Sequence, residues 1–333
     1  MLNLPPNPKW DIARVSHSTL VNADCFDVFP FIEDKSIDAI IADLPYGTTQ
    51  NKWDSVLPLD EIWKQYKRIL KPKGVVLLFA QIPFSITLGA SNLKWLKYEW
   101  IWEKDRASGH LNAKKQPMKA HENILVFYEQ IGTYNPQKTS GHKPSNVSGQ
   151  RLKETTNYGK FEQIISGGQT DRYPRSVYKH NVVNSQHGIE HPTQKPLGLL
   201  EMLVNTYTNE NEIVLDNTMG SGTTGLACLK TNRQFIGIEK EKQYYDVAVR
   251  RLSSYCGQRN ANKRSMKATE TYLILCQMDA GEITLKEAHE LILRLFGVME
   301  SDCDHEWLNH SFDQFGFLQE QICDKCGAKQ SVP

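Results

Sequence analysis

Apolar runs and amphipathic stretches alternate along most of the chain. Ser36 to Asp43 (SIDAIIAD) is an apolar run closed by an acidic residue and the turn-forming Leu-Pro-Tyr-Gly, the pattern of a buried parallel strand with a loop at its carboxyl end. Ile62, Trp63, Tyr66, Ile69 and Leu70 recur at helical spacing over 59–70, until Lys71-Pro-Lys-Gly74 stops the helix. Val75 to Ala80 reads as the next buried strand, and Tyr98–Trp102 and Asn123–Tyr128 as two more. Pro196 suits the first turn of a helix carrying Leu199, Leu200, Leu203 and Val204 on one side. A strand over Ile213–Asp216, a helix to about Leu229 and a strand over Phe235–Glu239 follow. Strands alternating with helices predict an α/β fold with a doubly wound, mostly parallel sheet.

Two stretches break the rhythm. Residues 132–190 are rich in Gly, Ser, Asn, Gln, Lys and His without periodicity, and so long an irregular insertion points to a functional or disordered segment. Past Leu252 the chain turns polar and basic, so 1–252 reads as one large domain, 253–283 as a linker and 284–333 as a small C-terminal segment. Within it Thr284-Leu-Lys-Glu287 is a capping box opening a helix over 285–296.

Composition refines this picture at two points. The 333 residues carry a net charge of only +1, but Lys104 to Lys195 holds 14 Lys and Arg against 7 Asp and Glu. A local polyanion-binding face and a lysine-rich solvated insertion both fit that surplus. No stretch approaches the ~18 apolar residues of a membrane span, and the opening residues are no signal peptide. Seven cysteines, four of them scattered, are no disulfide framework, which predicts a reducing, cytoplasmic setting.

Chemistry concentrates in two loops. In Leu215-Asp-Asn-Thr-Met-Gly-Ser-Gly-Thr-Thr-Gly225, between a strand and a helix, Gly220 and Gly222 permit a tight turn and close ligand approach, and Gly225 permits helix packing. Glu239, ending the following strand, is placed for ribose hydroxyls. A nucleoside cofactor is expected against Asp216, Met219, Gly220, Ser221, Gly222, Thr223 and Glu239. Asp216 would oppose a pyrophosphate but suits the cationic S-adenosylmethionine.

The second loop is Ala42-Asp-Leu-Pro-Tyr-Gly47. It resembles the (Asp/Asn/Ser)-Pro-Pro-(Tyr/Trp) loop of methyltransferases that modify exocyclic amines. With the glycine loop placed last, after a basic insertion, the chain resembles a β-class DNA amino-methyltransferase, of the adenine N6 and cytosine N4 methylase family. Asn22-Ala-Asp24-Cys25, Arg68-Ile-Leu-Lys-Pro-Lys-Gly74, His121-Glu-Asn-Ile-Leu-Val-Phe127 and His191-Pro-Thr-Gln-Lys-Pro196 are further similarities, spread over about Leu20 to Leu252. The resemblance implies the Rossmann-like fold of S-adenosylmethionine-dependent methyltransferases, with Asp43, Leu44, Pro45 and Tyr46 as the catalytic loop. It implies that Asp24 and Cys25 touch the cofactor's adenine, that Thr193 and Lys195 hold its methionine end, and that Asp43 adjoins it. Leu44 departs from the family's usual proline, at a position whose part is played by a backbone carbonyl.

On that resemblance 132–190 becomes a target-recognition region, with Lys114, Lys115, Lys119, Arg151, Arg172 and Arg175 as candidate nucleic-acid contacts. Site-specific methylation of adenine N6 in a flipped-out base of double-stranded DNA is the expected activity, since Asp in the first loop position leans toward adenine. Cytosine N4, RNA as the polymer, and a non-catalytic nucleic-acid-binding relative are the alternatives; a cognate restriction enzyme and a homodimer stay open as partners. At the end of the chain Cys303-Asp-His305 and Cys323-Asp-Lys-Cys326-Gly327 supply four ligands of the types and spacing of a closed, structural zinc site. Without such a staple a short tail could hardly build a core.

Overall fold

The computed structural model describes residues 9–47, 56–145, 154–155, 159–160, 167–183, 194–279, 283–296, 307–312, 318–323 and 329–331. The chain forms two compact units, Met1–Gln258 and Arg259–Pro333.

In the first unit β1 (Asp11–Val15) and β2 (Ser18–Asn22) form a hairpin, and α1 (Cys25–Val28) is a single capped turn. Then come β3 (Ile37–Ala42), α2 (Leu59–Ile69), β4 (Leu70–Ala80) and α3 (Phe84–Ala90). A long hairpin joins β5 (Leu96–Ser108) to β6 (Lys119–Phe127). The short β7 (Glu154–Thr155) and β8 (Gly159–Lys160) pair with each other, and β9 (Val177–Lys179) joins the main sheet beside β5. The unit closes with α4 (Leu197–Tyr207), β10 (Ile213–Asp216), α5 (Thr223–Lys230), β11 (Gln234–Glu239) and the start of α6 (Lys242–Asp279).

The sheet order is β1-β2-β11-β10-β3-β4-β6-β5-β9, with β2, β11, β10, β3 and β4 mutually parallel. Alternation along the central strands explains why both faces are covered. Val75, Leu77 and Phe79 of β4 face one core layer, with Leu199 and Leu203 of α4, Ala227 of α5 and Ala248 of α6. Val76, Leu78 and Ala80 face the other, with Ile62, Trp63, Tyr66 and Ile69 of α2. Burial on both faces is what lets parallel strands read as unbroken apolar runs.

Three expectations change. Lys71-Pro-Lys-Gly74 ends the helix as expected, yet it belongs to β4, whose ladder with β3 already begins at Ile37 and Leu70. The insertion over 132–190 is not wholly irregular, because Val177–Lys179 pairs with Ile101–Glu103. Most of the stretch read as a linker is helical, since α6 runs on to Asp279. Polar composition marks solvent exposure; with no proline and many Lys, Arg, Gln and Met residues, nothing there opposes a helix.

In the second unit α7 (Leu285–Phe296) begins with the capping box, in which Thr284 N–H donates to Glu287 Oε2 (2.7 Å) and Glu287 N–H to Thr284 Oγ1 (3.2 Å). A small antiparallel sheet follows, ordered β12 (Trp307–Phe312), β13 (Leu318–Cys323) and β14 (Lys329–Ser331).

Candidate active site

Strand order reverses between β3 and β10: β4 lies outward on one side and β11 on the other. Ligands of open α/β sheets bind beyond the carboxyl ends of the strands at such a switch point. The two acidic loops of the sequence emerge there together, and Thr218 Oγ1 donates to the Asp43 carbonyl (3.2 Å), tying one loop to the other. A cavity of about 620 Å³ opens between them.

The glycine loop is braced from several directions. Gly220 and Gly222 take positive φ (51° and 74°), and a Cβ on Gly222 would lie 2.8 Å from that of Ala248, so Gly222 packs on α6 while Gly220, Ser221 and Thr223 line the cavity. Gly220 N–H donates to Glu239 Oε2 (2.9 Å) and Glu241 N–H to Oε1 (2.8 Å), which fixes the Glu239 carboxylate at the cavity wall. Asp216 accepts from Thr218 N–H (3.1 Å) and Thr224 Oγ1 (2.7 Å). Burial, reinforced by repulsion from Asp43 and Glu239, raises its carboxyl to about 7 despite those hydrogen bonds. Burial likewise raises Glu239. Asp216 and Glu239, both destabilised as anions, face the cavity together with Asp43, an arrangement that a cation would relieve.

Asp24 caps α1 through Phe26 N–H (3.0 Å) and pairs with Lys240 (3.0 Å) at the cavity rim. Cys25 lines the same wall, and burial pushes its thiol up to about 12, so it is a protonated packing group. Thr193 lies outside the described residues.

The Asp-Leu-Pro-Tyr loop is held equally firmly. Leu44, 2% exposed, turns its side chain into the core beneath β3. Tyr46 stacks on Phe84 (5.1 Å between centroids, 25°) and its hydroxyl donates to Asp43 Oδ1 (2.5 Å). Lys195, expected at the methionine end of a cofactor, sends its ammonium to Asp43 Oδ2. The same ammonium lies 3.5 Å from Glu122 Oε2, and Lys104 pairs with Glu122 Oε1 (2.5 Å).

Sequence reasoning missed Glu122, Lys104, Thr218, Thr224 and Arg251, whose Nη1 donates to the Ser221 carbonyl (2.5 Å) and to Thr223 Oγ1 (3.1 Å). Glu122 falls within the family-like segment His121-Glu-Asn-Ile-Leu-Val-Phe127, where it was given no role of its own. The candidate nucleic-acid contacts separate in space. Lys114, Lys115 and Lys119 are exposed around the tip of the β5–β6 hairpin, whose strands supply Lys104, Ser108 and Glu122 to the cavity. Arg175 is exposed, whereas the Arg172 guanidinium donates to the carbonyls of Lys143, Gln169 and Asp171 and organises its own loop. Arg151, Cys303, His305 and Cys326 lie outside the described residues, and Cys323 is described only as the backbone end of β13. Among the described residues no cluster of three His, Cys, Asp or Glu is arranged to hold a metal, and no helix is long and apolar enough to cross a membrane.

An α/β fold thus carries at its switch point a cavity between one loop built from glycine and another of Asp-Leu-Pro-Tyr, the arrangement that the resemblance to amino-methyltransferases implies. A family model described as DNA methylase matches residues 37–250. The chain therefore belongs to the DNA methylase family of N6 and N4 amino-methyltransferases. It is 28% identical to the Type II methyltransferase M.BglII of Bacillus subtilis over 81% of this chain and 78% of that protein. It is also 28% identical to the DNA adenine methyltransferase YhdJ of Escherichia coli, over 70% and 82%. The solved PvuII DNA methyltransferase, cytosine-N4-specific, shares the fold with a TM-score of 0.51 and 13% identity, over 74% of this chain and 96% of that one.

Proposed function

We propose that the chain transfers a methyl group from S-adenosylmethionine to the N6 amine of adenine, in a base flipped out of double-stranded DNA. One observation carries the reading: Asp43 and the Leu44 backbone share a cavity with the carboxylates of Asp216 and Glu239. The cofactor fits by chemistry, because its ammonium and sulfonium relieve the mutual repulsion of those carboxylates. When bound it supplies an electrophilic methyl; Asp24, Asp216, Met219, Gly220, Ser221, Thr223 and Glu239 would hold it.

The remaining work falls to the chain. A ring amine shares its lone pair with the ring and is a weak nucleophile. Asp43 and the Leu44 carbonyl accept its two N–H bonds, drawing the nitrogen toward tetrahedral geometry and freeing the lone pair. Orientation of amine and methyl in line contributes much of the acceleration, and the two acceptors stabilise the positive charge that develops on nitrogen. With the methyl that the bound cofactor would supply, the amine nitrogen would be left with a surplus proton, which would leave along the Asp43 hydrogen bond to solvent. Tyr46, backed by Phe84 on one face, offers the other to the base.

Adenine is favoured over cytosine by the aspartate that opens the loop. Tritiated methyl transfer to unmethylated DNA, followed by nucleoside separation, is expected to yield N6-methyladenine. N4-methylcytosine alone would move the assignment, and transfer that survives Asp43→Ala would overturn the mechanism. A restriction nuclease of matching specificity is the partner that the Type II relative suggests. Structural zinc on Cys303, His305, Cys323 and Cys326 is a separate proposal, supported by the register Trp307↔Cys323, which sets the end of β13 opposite the start of β12. Purified protein without zinc, melting identically with and without chelator, would remove it.

A further inference from the structure

Beneath Asp43 lies an ionic layer that the fold alone does not call for. Glu122 of β6 is 6% exposed, and Ile124, Leu125 and Val126, which follow in the same strand, are core residues. Asp43, Lys195, Glu122 and Lys104 form an alternating chain of two carboxylates and two ammoniums, neutral as a whole. Lys195 Nζ sits 5.1 Å from the Phe79 ring centroid and Lys104 Nζ 4.9 Å from that of Trp102, so aromatic walls shield the chain from water. Burial opposes the charge on Glu122, yet Lys195 and Lys104 outweigh it and hold the carboxyl below its usual range. Burial also opposes the Lys195 ammonium, and Asp43 and Glu122 hold its proton on more strongly than usual. Buried ion pairs rarely stabilise a fold better than well-packed apolar residues of the same volume. Moreover, Glu122 Oε2 makes no hydrogen bond among the described residues; its separation from Lys195 is that of an ion pair only.

We propose that Glu122 is a positioning residue for methyl transfer: it holds the Lys195 ammonium beside Asp43 and balances its charge while the amine nitrogen becomes cationic. The proposal rests on the methyltransferase reading above. Tyr46 and Lys195 each take one oxygen of Asp43, which orients the carboxylate; each oxygen keeps a second lone pair, enough to accept an amine N–H. An ammonium a few ångströms from a nitrogen gaining positive charge would slow the transfer unless a second carboxylate offsets it. Glu122 is that carboxylate. Asp43 and Glu122 face Lys195 directly, Lys104 lies beyond Glu122, and the Tyr46 hydroxyl lies across Asp43.

Single-turnover methylation at saturating DNA and cofactor, measured against pH for the full chain and for Glu122→Gln and Glu122→Asp, tests this. The Gln variant is expected to lose about 10- to 100-fold in rate near pH 7, with DNA affinity unchanged or tighter because the pocket gains positive charge. Its deficit should shrink as pH rises, since Lys195, held by Asp43 alone, releases its proton at lower pH. The Asp variant, which keeps the charge, should recover most of the rate. A Gln variant within about twofold of the parent rate would overturn the proposal. So would equal losses in both variants with an unaltered pH profile, the signature of a merely structural role. Parent protein that methylates no DNA would overturn the methyltransferase reading and this proposal with it; an active parent indifferent to Glu122 overturns the proposal alone.

Discussion

If Asp216 holds the cofactor as proposed, folding and cofactor binding depend on the same proton, and Asp216→Asn is expected to separate them. The carboxyl is 4% exposed and raised from 3.8 to about 7, chiefly by burial. Because the folded value exceeds the unfolded one, the native protein holds a proton between about pH 4 and 7 that the unfolded chain has released. Asp216 therefore adds stability at low pH, and that contribution is lost as pH rises through about 7. A difference of about three pH units corresponds to at most about 4 kcal/mol of destabilisation above neutrality, at 1.36 kcal/mol per unit. Asparagine removes the buried charge, still accepts from Thr218 N–H, and meets Thr224 Oγ1 with an amide whose hydrogen that hydroxyl can accept. Even a quarter of the ceiling, about 1 kcal/mol, raises Tm by about 2–4 °C for a unit of this size. The ligand-free Asn variant should thus melt above the parent at pH 8 and lose the advantage at pH 5. Binding of S-adenosylmethionine should behave oppositely. Titration calorimetry is expected to show parent affinity falling about tenfold per pH unit below about 7, and the Asn variant binding weakly and without that pH dependence. An Asn variant melting below the parent at pH 8, or parent affinity equal at pH 6 and pH 8, would refute the reasoning.

Three further outcomes follow from the geometry. Tyr46→Phe keeps the stack on Phe84 but removes the hydrogen bond to Asp43, and should slow single-turnover methylation about tenfold, as expected for a charge-assisted bond of about 1.5 kcal/mol; an unchanged rate would show that Asp43 is oriented without it. Gly222→Ala combines a φ of +74° with a Cβ 2.8 Å from that of Ala248, and is expected to destabilise the first unit by about 2 kcal/mol or more in urea unfolding, with weaker cofactor binding. Lys114→Ala with Lys115→Ala should weaken DNA binding alike for all sequences and lower the salt slope by about 2; a change confined to one target sequence would instead place these lysines on base edges.

The central strands were legible because burial on both faces leaves apolar runs that nothing else in the chain imitates, and each acidic strand end announced its loop. The hairpin of β1 and β2 was not, since Asp11–Asn22 mixes polar and apolar residues, as an outer strand such as β1 permits. That Asp216 and Glu239 share one cavity wall was legible because their positions follow from the glycine loop, a local feature. Glu122 and Lys104 escaped because they meet across the β5–β6 ladder and matter only through Lys195, far along the chain. Lys195 lines the cavity with its ammonium on Asp43, a contact set by folding and invisible to spacing. That most of the stretch over 253–283 is helical was hidden for a simpler reason: residues polar enough for a linker are also good helix formers.

The Thr218–Asp43 hydrogen bond joins residues 175 positions apart, and the ladder beneath it pairs Val214 with Ala39 and Leu215 with Ile40. Neither link passes through the basic segment that separates the two loops in the chain. Lys104, Glu122 and Lys195 of that segment do reach Asp43 as a chain of ion pairs, but the insertion over 132–190, between Glu122 and Lys195, can lengthen, shrink or be exchanged without breaking either link. On the methyltransferase reading proposed above, variation confined to that insertion would change which sequence is marked while Asp43 and Asp216 stay in register.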